Sequence, residues 1–211
     1  SYIDAKRWTG VPVVHQVAAA PIVRPDFTVR WEPGYDESTR CWVTEGLKKN
    51  TWLVDAGFDL RRVFSLFPLT DENMVADCFA AALTPLLSTA IKGALPAFLV
   101  TARKPGSGKS ELAKFCSLLG CGTKDFTTWK KSEEMQKMVA TFAVEDKRTV
   151  VFDNIKSQIN SSDLESAITN RYLSFRTMAT HTSKGTPCNT TWLFTSNGAS
   201  MSQDLLRRSI V

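Results

Sequence analysis

The sequence predicts an α/β fold built on a parallel sheet, and three observations lead to this prediction. Short apolar runs alternate with segments of helical periodicity over residues 70–211. One run, at residues 97–100, leads into a glycine-rich stretch at 104–110 and then into a helical pattern. Two later runs end at polar residues, Asp153 and Asn197. Strands that alternate with helices form parallel sheets, whose ligands bind beyond the carboxyl ends of the strands.

Composition places this chain of 211 residues among ordinary globular proteins. Apolar residues make up 43% and charged residues 22%, enough for one core with a small appended region. The five cysteines include no CxxC pair and there are two histidines, which argues against a disulfide framework, a zinc site or a His-based triad. The pattern predicts a reducing compartment, no signal segment and no membrane span.

The formal net charge of +5 is concentrated around the glycine-rich stretch. Residues 101–131 hold seven Lys or Arg residues and two acidic ones, which leaves the rest of the chain neutral. Much of this excess is therefore expected to serve a phosphorylated ligand. Overall charge alone is weak support for a nucleic-acid partner.

Residues 1–69 are predicted to form a small β-rich or irregular N-terminal region. Its short extended runs are separated by prolines, and residues 32–36 (EPGYD) are predicted to form a turn. A short helix is expected within residues 59–67. The tryptophans of the N-terminal region are interpreted as core or domain-contact residues, with base stacking as the alternative: Trp8, Trp31, Trp42 and Trp52.

Residues 70–211 are predicted to hold the main α/β unit. A helix is predicted to begin with an N-cap in the residues from Thr70. Pro85 is expected to kink this helix, or to end it near Leu83. Hydrophobic periodicity then predicts a strand at 97–100, a helix to about 120, a strand at 126–129, a helix over 132–143, a strand at 149–153 and a helix at 161–168. Residues 175–182 and 186–196 are predicted to form a hairpin that turns at 183–185, and its second arm becomes a core strand at 190–196.

The glycine-rich stretch is a candidate nucleotide-binding loop. Its glycines adopt backbone conformations closed to other residues, so several N–H groups can converge on one anion. Lys109 supplies a charge for the β- and γ-phosphates, and the Ser110 hydroxyl is a ligand for Mg²⁺. Arg103 stands where the full pattern has its first glycine, and a basic surface turn is the alternative. The predicted binding residues are Pro105, Gly106, Ser107, Gly108, Lys109, Ser110 and Glu111.

Two polar strand ends complete the predicted site. Asp153 is expected to hold Mg²⁺ opposite Ser110, and Asn197 to orient the attacking water. Considered singly, each residue has a structural explanation as the alternative. Asp153 is then an acidic residue in the turn that ends its strand, and Asn197 forms an ordinary turn with Gly198. Together with the loop they favour an ATPase that uses ATP and Mg²⁺.

The order of these motifs resembles the core of an AAA+ ATPase. The segments are PGSGKS at 105–110, VVFDN at 150–154, WLFTSN at 192–197 and DLLRR at 204–208. They are most similar to the ATPase domains of primase–helicase proteins of phages and mobile elements. The resemblance implies a three-layer P-loop NTPase (AAA+) sandwich over residues 70–211, preceded by the N-terminal region, with a C-terminal lid that this chain does not include. It also implies a bacterial or phage-host cytoplasm.

The resemblance assigns roles to individual residues. Lys109 and Ser110 match the Walker A lysine and hydroxyl, Asp153 the Walker B aspartate, and Asn197 the sensor-1 residue. Asn154 stands where many AAA+ proteins have a glutamate. Asparagine orients a water but cannot take its proton, so the general base is unassigned.

The resemblance also implies a shared active site. Arg207 or Arg208 matches the arginine finger, which in this family reaches the γ-phosphate on the next subunit. The active unit is then a ring, commonly a hexamer. A solvated helix end is the alternative explanation of the arginine pair.

A nucleic-acid contact is predicted at the hairpin before the last core strand, where related helicases insert a hairpin into the ring channel. Lys184, with His181 nearby, is expected to contact the backbone of DNA, single-stranded in our interpretation. An exposed turn is the alternative. The leading hypothesis is thus an ATP-driven DNA helicase or translocase. A nucleotide-binding switch with little turnover is the second, motivated by Asn154 and Arg103, and a small-molecule P-loop kinase the third.

Overall fold

The computed structural model describes residues 12–18, 21–44, 59–102, 104–121, 126–130, 132–176 and 183–211. Its strands are β1 (Gln16–Ala18), β2 (Ile22–Val23), β3 (Val29–Arg30), β4 (Gly34–Asp36), β5 (Cys41–Val43), β6 (Ala97–Thr101), β7 (Phe126–Thr127), β8 (Thr149–Ile155), β9 (Tyr172–Arg176), β10 (Ser183–Pro187), β11 (Thr191–Ser196) and β12 (Ser209–Ile210). Its helices are α1 (Leu60–Phe64), α2 (Glu72–Leu87), α3 (Lys109–Cys121), α4 (Ser132–Val144), α5 (Ser162–Asn170) and α6 (Gln203–Leu206).

The centre of the fold is a five-stranded sheet in the order β12-β6-β11-β8-β7. Every neighbouring pair in it is parallel. Parallel neighbours require crossover connections, which the helices supply. The predicted α/β fold with a parallel sheet is therefore confirmed. Because β11 lies between β6 and β8, the strand that leads into the glycine-rich loop and the strand that carries Asp153 are not neighbours.

Both faces of this sheet are covered by helices, because its strands alternate large apolar side chains between the two faces. Phe98, Val151 and Leu193 pack with residues of α2 and α3. Their chain neighbours, such as Phe152 and Phe194, pack on the other face with residues of α4 and α5. Phe152 stacks on Phe194 with ring centroids 5.7 Å apart, so aromatic rings fill the centre of that layer.

Helix α2 continues through Pro85 to Leu87, so the predicted end near Leu83 is wrong. The helix begins after Asp71, whose carboxylate accepts a hydrogen bond from the Met74 N–H at 3.0 Å. Its proline packs against Gly120 of α3, where a Cβ atom would lie 2.4 Å from Pro85 Cγ. Close packing between these two helices thus overrides the helix-ending tendency of proline.

The N-terminal region contains short strands, as predicted. Strand β5 pairs with β1 in parallel and with β4 in antiparallel orientation, and β2 pairs with β3. Residues 34–36 belong to β4, so the predicted turn over 32–36 is wrong at its end. Trp31 and Trp42 are more than a third exposed, against the predicted core role. Trp8 and Trp52 lie outside the described residues.

Hydrogen bonds between described residues attach this region to the main unit. The Thr89 hydroxyl after α2 donates to the Val23 carbonyl at 2.6 Å. The buried Arg148 guanidinium, just before β8, donates to the Pro21 carbonyl at 3.3 Å. All five cysteines are buried. Within the described ranges, no helix is long and apolar enough to cross a membrane.

Candidate active site

The glycine-rich loop joins β6 to α3 and requires glycine at two positions. Gly106 and Gly108 have φ angles of 74° and 81°, in the left-handed region that side chains disfavour. Helix α3 starts immediately afterwards, at Lys109, and its first-turn N–H groups face the loop. Arg103, the predicted departure from the motif, lies outside the described residues.

The Lys109 ammonium lies over this loop. Its Nζ atom donates to Ser107 Oγ at 2.9 Å and to the Lys104 carbonyl at 3.3 Å. Both acceptors are neutral, and Lys109 forms no ion pair with an acidic group in the part of the chain that the structure describes. A half-buried cation with only neutral partners suits an anionic ligand.

The Asp153 carboxylate lies beneath the loop, at the end of β8. Its Oδ1 atom accepts hydrogen bonds from Ser110 Oγ and from Thr195 Oγ1, each at 2.6 Å. The start of α3 and the ends of β8 and β11 therefore meet at one carboxylate oxygen. The structure thus brings together Ser110 and Asp153, the two residues predicted to hold Mg²⁺.

Asn154 and Asn197 lie beside this carboxylate. Asn154 has a φ of 53°, a left-handed conformation that asparagine tolerates better than most residues. Its Oδ1 atom is 3.5 Å from Asn197 Nδ2. Both side chains are exposed, so the paired amides form the open side of the site.

The predicted nucleotide-binding residues, together with Asp153, Asn154 and Asn197, line one polar cleft of about 480 Å³. Glu111 forms its rim and makes an exposed ion pair with Lys114 at 3.5 Å, a contact of little energetic weight. Thr195 lines the cleft and was not among the predicted site residues. It precedes Asn197 by two positions, so strand alternation alone puts it on the same face. The lining is formed by Pro105, Gly106, Ser107, Gly108, Lys109, Ser110, Glu111, Asp153, Asn154, Thr195 and Asn197.

A second cleft, of about 800 Å³, adjoins the same loop and shares Ser107, Gly108 and Lys109 with the first. Its wall is mainly apolar and includes residues that the motifs did not indicate: Phe67, Pro68, Leu69 and Met74. The Phe67 ring lies 3.7 Å from the position that a Cβ atom on Gly108 would occupy. These residues precede the loop by some 35 residues in the chain, so no local pattern identifies them.

The two arginines after α6 have different surroundings. Arg208 Nε donates to Thr169 Oγ1 of α5 at 2.7 Å, and its Nη1 donates to the Asp204 carbonyl at 2.5 Å. The Arg207 side chain is 73% exposed, with one ion pair to Asp204 at 3.6 Å. Neither lines the cleft of its own chain. Arg208 therefore has an intramolecular role, and Arg207 is available to another molecule.

A hairpin is present, but the predicted turn is wrong, and so is the prediction that the second arm becomes the core strand, because β10 and β11 belong to different sheets. Strand β10 pairs with β9, and Lys184 lies opposite Phe175 within that ladder. Residues 183–185 lie within β10, so they are not the turn. The hairpin is a two-stranded sheet separate from β11. His181 lies outside the described residues.

The donor set fits Mg²⁺ bound together with phosphates. No cluster of three His, Cys, Asp or Glu side chains is found among the described residues. The protein ligands available beneath the loop are the Ser110 hydroxyl and the Asp153 carboxylate. Mg²⁺ is commonly held in this way, with one or two protein oxygens and the remaining ligands from phosphates and water.

Comparison with known proteins does not assign the chain to a family. A scan against protein-family models found no match, and a search of curated proteins found none either.

Proposed function

We propose that this chain is an AAA+-type P-loop NTPase domain that binds and hydrolyses ATP with Mg²⁺. The observation that carries the proposal is the hydrogen-bonded set of Ser110, Asp153 and Thr195 directly beneath a glycine loop with two left-handed glycines. The strand order also supports it. Strand β11 separates the loop strand from the Asp153 strand and brings Asn197 to the cleft.

Each part of the site has a task in this proposal. Lys109 exchanges its neutral acceptors Ser107 and Lys104 for phosphate oxygens. Ser110 and Asp153 hold Mg²⁺, which when bound withdraws charge from the phosphoryl oxygens. The apolar cleft beside Phe67 receives the nucleoside, because it is continuous with the loop and large enough for a base and ribose.

The proposed activity extends to a ring-forming motor acting on single-stranded DNA. Arg207 supports this part, because it is exposed and does not line the cleft of its own chain. In a ring, Arg207 acts at the cleft of the neighbouring subunit. The β9–β10 hairpin, with Lys184, is the proposed contact to the DNA backbone.

The test is ATP turnover by the full chain with and without single-stranded DNA. We expect turnover that DNA stimulates and that Lys109→Ala abolishes. Lys114→Ala, on the same helix but at the exposed ion pair with Glu111, is the matched control and should retain activity. Turnover that survives Lys109→Ala would contradict the proposed site.

A nucleotide-binding switch is the second candidate function, and one observation favours it. The side chains facing each other at the open side of the cleft are amides, Asn154 and Asn197, neither of which takes a proton from water. ATP binding that requires Lys109, without turnover and without an effect of DNA, would support the switch over the motor.

A further inference from the structure

Thr195 lies opposite an extra residue in strand β8. The pairing of β11 with β8 runs from Phe194 opposite Phe152 to Ser196 opposite Ile155. Two residues of β8, Asp153 and Asn154, therefore occupy the space across from Thr195 alone. Such a β-bulge breaks the ladder and re-aims side chains, and bulges occur frequently beside active sites.

The Thr195 hydroxyl bonds both residues of this bulge. Its oxygen accepts the Asn154 N–H at 2.8 Å, and its proton is donated to Asp153 Oδ1 at 2.6 Å. A hydroxyl has a single proton to donate, so this contact uses it completely. The side chain is only 1% exposed, so solvent cannot replace these hydrogen bonds.

Removal of this hydroxyl would take one hydrogen bond from the Asp153 carboxylate and one from the Asn154 backbone N–H. The carboxylate torsion of an aspartate is soft, so hydrogen bonds decide where its oxygens point. Among the described residues, the other side chain bonded to Asp153 is Ser110, whose hydroxyl is also needed by the cation in the proposed function. Asn197 does not substitute, because its amide contacts Asn154 and not the carboxylate.

We infer that Thr195 is a positioning residue of the nucleotide site. Its hydroxyl orients the Asp153 carboxylate toward Ser110 and holds the left-handed backbone of Asn154, so that the Asn154 amide faces Asn197. The inference rests on the proposed function, because it concerns how well Asp153 and Ser110 receive Mg²⁺ with the nucleotide.

The experiment compares the affinity of the full chain for ATP in excess Mg²⁺ and in excess EDTA. Thr195→Val keeps the shape and removes the hydroxyl, and it should weaken binding in Mg²⁺ about tenfold, as loss of a hydrogen bond that orients a metal ligand commonly does. Its affinity in EDTA should equal that of the wild type. Thr195→Ser restores the hydroxyl and should restore the Mg²⁺-dependent affinity.

Thr191→Val is the matched control. Thr191 lies on the same strand and is fully buried, but its hydroxyl has no hydrogen-bond partner in the described structure. This variant should bind ATP as the wild type does under both conditions. Thermal unfolding reports whether each variant folds. If Thr195→Val does not fold, Thr195→Cys, with a weaker donor, replaces it and should show an intermediate loss in Mg²⁺ only.

The results separate this inference from the proposed function. A wild-type chain that binds no ATP would overturn both. Wild-type binding with an unchanged Thr195→Val variant would overturn the positioning role alone. An equal loss in Mg²⁺ and in EDTA would also overturn it, because a general structural defect does not distinguish the two conditions.

Discussion

The amides of Asn154 and Asn197 face each other at the mouth of the polar cleft, with Asn197 Nδ2 3.5 Å from Asn154 Oδ1. Both can hold a water through hydrogen bonds, but neither accepts its proton at neutral pH. The adjacent carboxylate, Asp153, already accepts two hydroxyl donors on Oδ1. The site therefore positions a water better than it activates one, and slow turnover is expected.

Replacing Asn154 with aspartate should accelerate hydrolysis. Aspartate has nearly the same shape and also tolerates the left-handed backbone at φ 53°. It adds a carboxylate beside the predicted water, and a positioned general base contributes roughly a hundredfold or more to rate. We expect kcat to rise at least about tenfold, because the nearby Asp153 charge offsets part of this gain. Single-turnover hydrolysis of ATP measures it.

The control for this change is Asn170→Asp on the exposed end of α5. It introduces the same charge away from the cleft and should leave kcat unchanged. Equal or lower turnover in Asn154→Asp would show that residue 154 does not face the attacking water.

Local patterns predicted four of the five strands of the central sheet, because those strands carry their own signal, whereas the two-residue strand β12 was not predicted. The runs at 97–100 and 150–152 are apolar throughout, as expected of strands covered on both faces, and both lie in observed strands. The glycine loop was equally predictable, because the loop requires a left-handed backbone at two positions, and glycine, which favours that conformation, stands at both, Gly106 and Gly108.

Features that depend on distant partners were not predictable. The bulge at Asp153 exists only relative to the register of β11, and Thr195 becomes important only through that pairing. The wall of the apolar cleft includes Phe67, which lies in a segment of the chain without a motif. Pro85 remains helical because it packs on Gly120, a contact between residues 35 positions apart.

The two arginines after α6 should give different phenotypes. Arg208→Ala removes hydrogen bonds to Thr169 and to the Asp204 carbonyl, and should lower the free energy of unfolding by about 1–2 kcal/mol. Arg207→Ala changes an exposed side chain and should leave stability within about 0.5 kcal/mol. Urea denaturation measures both. Turnover by the assembled protein should fall about a thousandfold in Arg207→Ala with ATP binding retained.

Mixing two inactive variants tests whether Arg207 acts on a neighbouring subunit. A Lys109→Ala subunit keeps its arginine, and an Arg207→Ala subunit keeps its nucleotide loop. Mixed assemblies should therefore regain turnover through sites that combine the two intact halves. A mixture as inactive as its components, under conditions where subunits exchange, would rule out the shared site.

Gly120→Ala should destabilise the fold by separating α2 from α3. The added Cβ atom would lie 2.4 Å from Pro85 Cγ and 2.5 Å from the Ala82 carbonyl oxygen, so the helices must move apart. Overpacking of this kind costs about 1–3 kcal/mol, measurable by urea denaturation. Leu118→Ala, at a site on the same helix with 41% exposure, is the control and should cost less. A neutral Gly120→Ala would mean that the helices do not approach this closely.

The free energy of unfolding should fall as pH rises toward neutral. Burial raises the pKa of Asp146 to about 7, against the opposing effect of the Arg148 charge. The folded protein therefore holds a proton that the unfolded chain releases near pH 4, so stability falls between these values and levels off above pH 7. We expect a loss of about 2 kcal/mol in the free energy of unfolding between pH 5 and pH 7.

Asp146→Asn should remove this decline, because its amide cannot ionise. Glu145→Gln, at the exposed neighbouring position, should retain it. Urea denaturation at pH 5, 6, 7 and 8 measures the slopes. The wild type and Asp146→Asn would have equal slopes if Asp146 were ionised throughout this range, as happens when the Arg148 charge outweighs the cost of burial. Such a result would show that Asp146 is charged in the folded protein at every pH tested.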